Sequence, residues 1–214
     1  MSRTLRPAVL AVVTVLLFAV AGCVAPTTEE GPVVVNDPGD DGWGGTRVTT
    51  PYEVPDLSLT DAHGQAYNLR TSPSTPVTLV FFGYTNCPDV CIAVLSDVAM
   101  ALKRSDPGVA DRITMVFVTT DPNRDTPDVI KAYLDRFDPT FVGLTGEMSD
   151  IKALAKPLGV SIEGMKKLPS GGYEVGHGAQ VIGINAQDQG VVVWTPGTPI
   201  GDLMADYQRL VAEQ

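Results

Sequence analysis

The chain has 214 residues, 44% of them apolar, and a formal net charge of −10 at pH 7. An acidic balance of that size argues against nucleic acid or an anionic lipid surface as an electrostatic partner. The apolar content supports one packed core, and three cysteines with two histidines are the soft ligand chemistry available.

Residues 1–22 read as an export signal. Arg3 and Arg6 give it a positive start, and Pro7 to Val20 form an apolar stretch that is too short to span a bilayer core of ~30 Å. The segment closes on Val20-Ala21-Gly22-Cys23, which resembles the bacterial lipobox, cleaved before a cysteine that receives diacylglycerol. Dual or triple acylation at Cys23 anchors a protein stably where a single chain does not. The expected location is therefore the cell membrane, lipid-anchored on the extracytoplasmic face. Loss of residues 1–22 removes Arg3 and Arg6 and no acids, which takes the net charge to about −12. With Cys23 lipidated, Cys87 and Cys91 remain as one pair in an oxidising compartment.

Residues 23–50 include PTTEEGPVVVNDPGDDGWGG and show neither helical nor alternating periodicity, which predicts a flexible tether. About 27 residues of coil reach roughly 30 Å. The globular domain is expected over 51–214. Leu57 to Thr60, the turn Asp61 to Gly64 and Tyr67 to Leu69 predict a β-hairpin. Val77 to Phe82 are a near-continuous apolar run, the pattern of a strand buried on both faces. Ile92 to Leu102 predict a helix, Ile113 to Thr119 a second buried strand, and Thr126 to Phe137 an amphipathic helix with Pro127 in its first turn. A short strand at Phe141 to Leu144, a helix over Glu147 to Leu158, a hairpin from Gln180 to Trp194 and a helix over Ile200 to Val211 complete the order. Strands alternating with helices predict a three-layer α/β domain.

Cys87 and Cys91 lie in FFGYTNCPDVC, at the corner between the first buried strand and the helix after it. The spacing places Cys87 at the helix N-cap and Pro88 at its first position, with both sulfurs on one helical face. A helix N-terminus favours the thiolate. Such a pair can bind a metal, exchange disulfides or staple a turn. Two sulfurs are too few for a structural zinc site, so a metal would need a further ligand from elsewhere. His63 sits in the polar turn and reads as an exposed residue. His177 precedes the strand that starts at Gln180.

Three segments together resemble the Sco/SenC copper-binding proteins, which help assemble the copper centre of cytochrome oxidase. FFGYTNCPDVC resembles the family's cysteine motif, VTTDPNRDTPDVIKAYLDRFDPTFVGLTG its central signature, and YEVGHGAQV its distal histidine motif. The resemblance covers about residues 55–210. It implies a thioredoxin-like fold, which the element order also fits, and copper held by Cys87, Cys91 and His177. Thiolates suit Cu(I), and an added imidazole makes Cu(II) acceptable as well. The implied role is a metallochaperone with an open site, delivering copper to the copper-site subunit of cytochrome c oxidase or to another cuproprotein. The alternative is a membrane-tethered thiol-disulfide oxidoreductase, with Cys87 as nucleophile, Cys91 as resolving thiol and His177 dispensable.

Asp121 follows the second buried strand, at the end where open α/β sheets gather their sites. Two roles are expected of it: accepting a hydrogen bond that orients His177 or a water, or forming the turn before Pro122. Arg124 and Asp125 read as an ion pair or a helix cap. The chain departs from the family pattern at Ile92, where proline usually follows the second cysteine, and that departure predicts an earlier helix start. It departs again at Gly176 and Gly178, which flank His177 and predict a mobile loop.

Overall fold

Val77–Gly83, with the apolar run at its heart, stands at the centre of the structure. A computed structural model describes residues 42–167 and 173–214, so the expected signal, Cys23 and most of the expected tether lie outside the described residues. The strands are β1 (Thr46–Glu53), β2 (Ser58–Asp61), β3 (Ala66–Asn68), β4 (Val77–Gly83), β5 (Ile113–Thr119), β6 (Val142–Thr145), β7 (Ile162–Lys167), β8 (Tyr173–His177), β9 (Val181–Ile184) and β10 (Gln189–Trp194). The helices are α1 (Val90–Arg104), α2 (Pro107–Ala110), α3 (Pro127–Leu134), α4 (Met148–Ala155) and α5 (Ile200–Ala212). A short 3-10 turn, Lys156–Leu158, extends α4.

Eight strands form one sheet in the order β1-β10-β9-β4-β5-β6-β2-β3, while β7 and β8 pair with each other alone. The β4–β5 and β5–β6 pairs are parallel, and β9, β10 and β1 continue the sheet antiparallel on the other side of β4. Because strand side chains alternate between faces, β4 feeds two cores. Val77, Leu79 and Phe81 pack with α1, α3 and α5, through residues such as Leu95, Ile130 and Tyr207. Val80 and Phe82 pack on the opposite face with Ile151, Leu154 and Leu158. Helices on both faces of the sheet give the expected three layers. The β2–β3 hairpin forms at the predicted turn and extends the sheet beyond β6.

The ordered domain begins earlier than the expected boundary at residue 51. β1 pairs with β10 from Thr46↔Val193 to Glu53↔Gln189, with its register shifting between Arg47 and Tyr52. Pro51 lies within that irregular stretch and lowers the strand signal, as proline does outside edges and bulges. Ahead of β1, the Gly44 and Gly45 N–H groups donate to the Asp206 carboxylate at 3.2 and 2.8 Å. A Cβ on Gly45 would meet the Trp194 ring at 2.5 Å, so only glycine allows this approach. Three further elements fall where no element is predicted: α2, with Asp106 capping the Gly108 N–H and Pro107 at its start, and the strands β7 and β8. Among the described residues no helix is long and apolar enough to cross a membrane.

Candidate metal centre

β4 ends at Gly83, and the chain turns so that the Cys87 N–H donates to the Tyr84 carbonyl at 3.1 Å. Helix α1 starts at Val90, with Asp89 rather than Cys87 as its N-cap residue, and Asp89 makes no side-chain cap bond. The Asp89 carbonyl accepts from the Ile92 and Ala93 N–H groups at 3.1 and 3.3 Å. The helix thus starts two residues later than a cap at Cys87 would place it. The two sulfurs therefore do not stack on one helical face. Cys87 folds over the start of α1, where its Sγ accepts the Cys91 N–H at 3.4 Å. Cys91 is the second residue of the helix.

The turn that carries Cys87 is fixed from beneath by Asp125. Its carboxylate accepts the Thr85 N–H at 2.9 Å, the Thr85 hydroxyl at 2.6 Å and the Thr119 hydroxyl at 2.6 Å. Asp125 has no exposed surface, and three donors from the Cys87 turn and the end of β5 offset the cost of burying its charge. Asp125 is thus a clasp for the cysteine turn; among the described residues it forms no ion pair, and the α3 cap is Thr126. Arg124 does form an ion pair, with Asp121.

His177 is the last residue of β8, opposite Ile162 of β7. The segment expected as a mobile loop is a paired strand, and the Gly178 N–H continues the pairing to the Ser161 carbonyl at 3.0 Å. The imidazole Nδ1 donates to the Gly178 carbonyl at 3.0 Å, because a carbonyl can only accept. In the neutral ring this leaves the lone pair on Nε2, which lies 3.7 Å from the Cys91 Sγ. Phe81 and Tyr84 hold the ring at its edges, with centroids at 6.2 and 5.8 Å.

The Cys87, Cys91 and His177 donor atoms all lie within 4.8 Å of one another. Ligands about 2.1–2.3 Å from an ion, as nitrogen and sulfur are at zinc, stand roughly 3.7 Å apart in a trigonal plane. The Cys91–His177 separation already matches that figure, so two sulfurs and a nitrogen form a soft three-ligand set of the right size. Both cysteines are free thiols. Cys91 is fully buried, Cys87 nearly so and His177 half-buried, so the site is more enclosed than the open one expected. The sulfurs share a proton. The hydrogen bond from Cys91, above all, with backbone N–H donors of the turn, pulls Cys87 down against the effect of burial. The same Cys87–Cys91 bond, followed by burial, pushes Cys91 up.

Asp121 is buried at the end of β5, but His177 is not its hydrogen-bond partner. Its carboxylate is taken by Arg124 and by the Tyr173 hydroxyl, at 2.9 and 3.1 Å from its two oxygens. The expected orienting bond to the histidine does not form, because the His177 Nδ1 proton goes to the Gly178 carbonyl. His63 is the exposed turn residue expected, its N–H bonded to Asp61. Tyr84, Thr85 and Tyr173 are site residues that the sequence reading passed over. Only the position of Tyr173, at even spacing from His177 on a strand, could have flagged any of them.

The model of the SCO1/SenC family matches residues 47–212. The chain belongs to the SCO1/SenC family. This Sco/SenC chain is 38% identical to a SCO2-like protein of Rickettsia felis over 99 residues, 46% of this chain and 47% of that protein. It spans about half the length of the curated relatives it matches. Among solved structures, apo Sco1 of Thermus thermophilus is 31% identical with a TM-score of 0.70, over 78% of this chain and 96% of that one. Copper-bound ScoI of Bradyrhizobium japonicum is 30% identical with a TM-score of 0.66, over 74% and 99%. The Sco/SenC chain shares the thioredoxin-like fold of these neighbours.

Proposed function

We propose that this protein is an extracytoplasmic copper metallochaperone, lipid-anchored through Cys23, that loads the copper centre of cytochrome c oxidase. Cys87 and Cys91 supply thiolates and His177 the third ligand. The observation that carries the reading is the meeting of these three donors within 4.8 Å, with the Nδ1 bond to Gly178 leaving Nε2 free to ligate. The soft pair suits Cu(I), and the imidazole adds tolerance of Cu(II). Cys87 is the sulfur pulled toward the thiolate, and Cys91 has to give up its proton when copper enters. A three-ligand site also leaves room for an incoming ligand, so an acceptor can take the ion by stepwise exchange. The copper-bound B. japonicum neighbour supports the choice of metal, and the export signal with its lipobox supports the location.

The low-lying Cys87 thiolate also favours a second reading, a thiol-disulfide oxidoreductase in which Cys87 attacks a target disulfide and Cys91 resolves the mixed disulfide. Elemental analysis of the reduced, detergent-solubilised chain separates the two. One copper per chain in the wild type, lost or weakened in His177→Ala, is the outcome expected of the chaperone. Disulfide reduction without copper in either form would overturn it in favour of the oxidoreductase.

A further inference from the structure

His177 is carried by a two-stranded sheet that, among the described residues, pairs with no other strand, so the main sheet reaches it only through the short link to Val181 of β9. Side chains must fix the rest of its distance from the cysteines. Tyr173, Val175 and His177 alternate along β8 and share one face, and Val175 is buried, which turns that face toward the body. His177 stands at one end of this row and Tyr173 at the other, roughly 13 Å away at the rise of an extended strand.

At its far end the row is fastened twice. The Tyr173 hydroxyl donates to both oxygens of Asp121 at 2.9 and 3.1 Å, a bond to a buried carboxylate and stronger than one between neutral groups. The Arg124 guanidinium pairs with the same carboxylate and lies 3.7 Å over the Tyr173 ring, within cation–π range. Arg124 is also 5.9 Å from the Tyr84 ring, which meets His177 edge-on at 5.8 Å. The loop after β5 thus serves both halves of the site: Asp125 holds the cysteine turn, and Asp121 with Arg124 holds the histidine hairpin.

We propose that Tyr173 is a positioning residue for the metal centre, latching the β7–β8 hairpin to Asp121 and Arg124 so that His177 Nε2 stays within reach of both sulfurs. The inference rests on the reading of Cys87, Cys91 and His177 as ligands, but the latch itself can be read without metal. Tyr173→Phe keeps the ring and its stacking and removes only the hydroxyl. The chain has two histidines, so modification by diethylpyrocarbonate in the metal-free full-length protein compares His177 with exposed His63 as an internal control. Loss of a hydrogen bond to a charged group should raise the His177 rate about tenfold and leave His63 unchanged. Asp121→Asn should have the same effect.

The second readout is the nitrogen hyperfine coupling of bound Cu(II), which a merely structural role would not move in a variant that still unfolds cooperatively. It should weaken or vanish in Tyr173→Phe, with copper affinity falling alongside. An unchanged His177 modification rate would overturn the latch. Faster modification with a wild-type copper spectrum and affinity would overturn its role in positioning the ligand. If the wild type binds no copper that depends on His177, that failure falls on the proposed function, and the modification rates alone decide the latch.

Discussion

Asp125 has no exposed surface, and among the described residues it lies outside the Cys87–Cys91–His177 group. Its three acceptor bonds tie Thr85, two residues before Cys87, to the end of β5. Asp125→Ala would leave one N–H and two hydroxyls without their acceptor, a loss of about 3 kcal/mol by the cost of breaking bonds to a buried charge. Urea unfolding should show that loss, and the freed turn should weaken copper binding in the fraction that stays folded. The cysteines carry a second prediction at the same scale. One proton is shared between them, with Cys87 pulled down to about 4 and Cys91 pushed up, so only Cys91 still holds a proton near neutral pH. Metal entry must remove it. Between about pH 7 and 9, above the ordinary imidazole range, log K for copper should rise by roughly one per pH step. A slope of two would mean that both thiols are protonated and that the sharing is absent.

At the scale of elements, the start of α1 decides where the sulfurs stand. Pro88 keeps Cys87 out of the helix, while Ile92 lets Cys91 into it by donating its N–H to Asp89. Ile92→Pro removes that donor and disfavours the helical region for Cys91. The helix should then begin later and the bond from the Cys91 N–H to the Cys87 Sγ should break. We expect a stability cost of about 1 kcal/mol and a thiolate titration displaced upward, toward the ordinary thiol range, by loss of a donor that favours the charged form. Thiolate absorbance against pH measures it, and an unmoved midpoint would show that the backbone donor contributes nothing. β4, β5, α3 and the β9–β10 hairpin were legible in the sequence because continuous apolar runs, helical periodicity and turn residues each point one way. The helix start was not, since CPDVC satisfies the spacing of a cap at Cys87, yet the turn runs on to Asp89 before the first helical residue. β7 and β8 escaped for another reason. They form a small sheet of their own with short, mixed, glycine-containing sequences, IEGMKK and YEVGH, that lack an apolar run.

For the whole molecule, the meeting of Cys87, Cys91 and His177 and the thioredoxin-like fold were legible, because three ordered motifs over one domain match a family pattern. The partners that fix those ligands were not, since Asp121–Tyr173 and Asp125–Thr85 are contacts far apart in sequence that no local pattern encodes. The domain's beginning belongs to the same class. Trp43, Gly44 and Gly45 look like tether, yet Asp206, buried completely, accepts the N–H groups of both glycines and the Trp194 Nε1 at 2.9 Å. Arg47 lies 4.6 Å over the Trp43 ring, and β1 then covers the edge of β10. A chain begun at residue 51 would lose these bonds and most of β1, leaving Asp206 short of donors and β10 as an open edge. β10 reads QGVVVW, an apolar β-branched strand of the kind that pairs with other copies when uncovered. The shortened chain should therefore melt at a lower temperature, by at least 2–4 °C for each kcal/mol lost in a domain of this size, and should associate with rising concentration. A chain begun at residue 42 should do neither. Calorimetry and light scattering on the two side by side would decide it, and equal melting with both monomeric would show that the N-terminal strand adds nothing to the fold. Copper binding should survive in whatever fraction of the shorter chain remains folded, because the Asp206 anchor makes no contact with the three ligands.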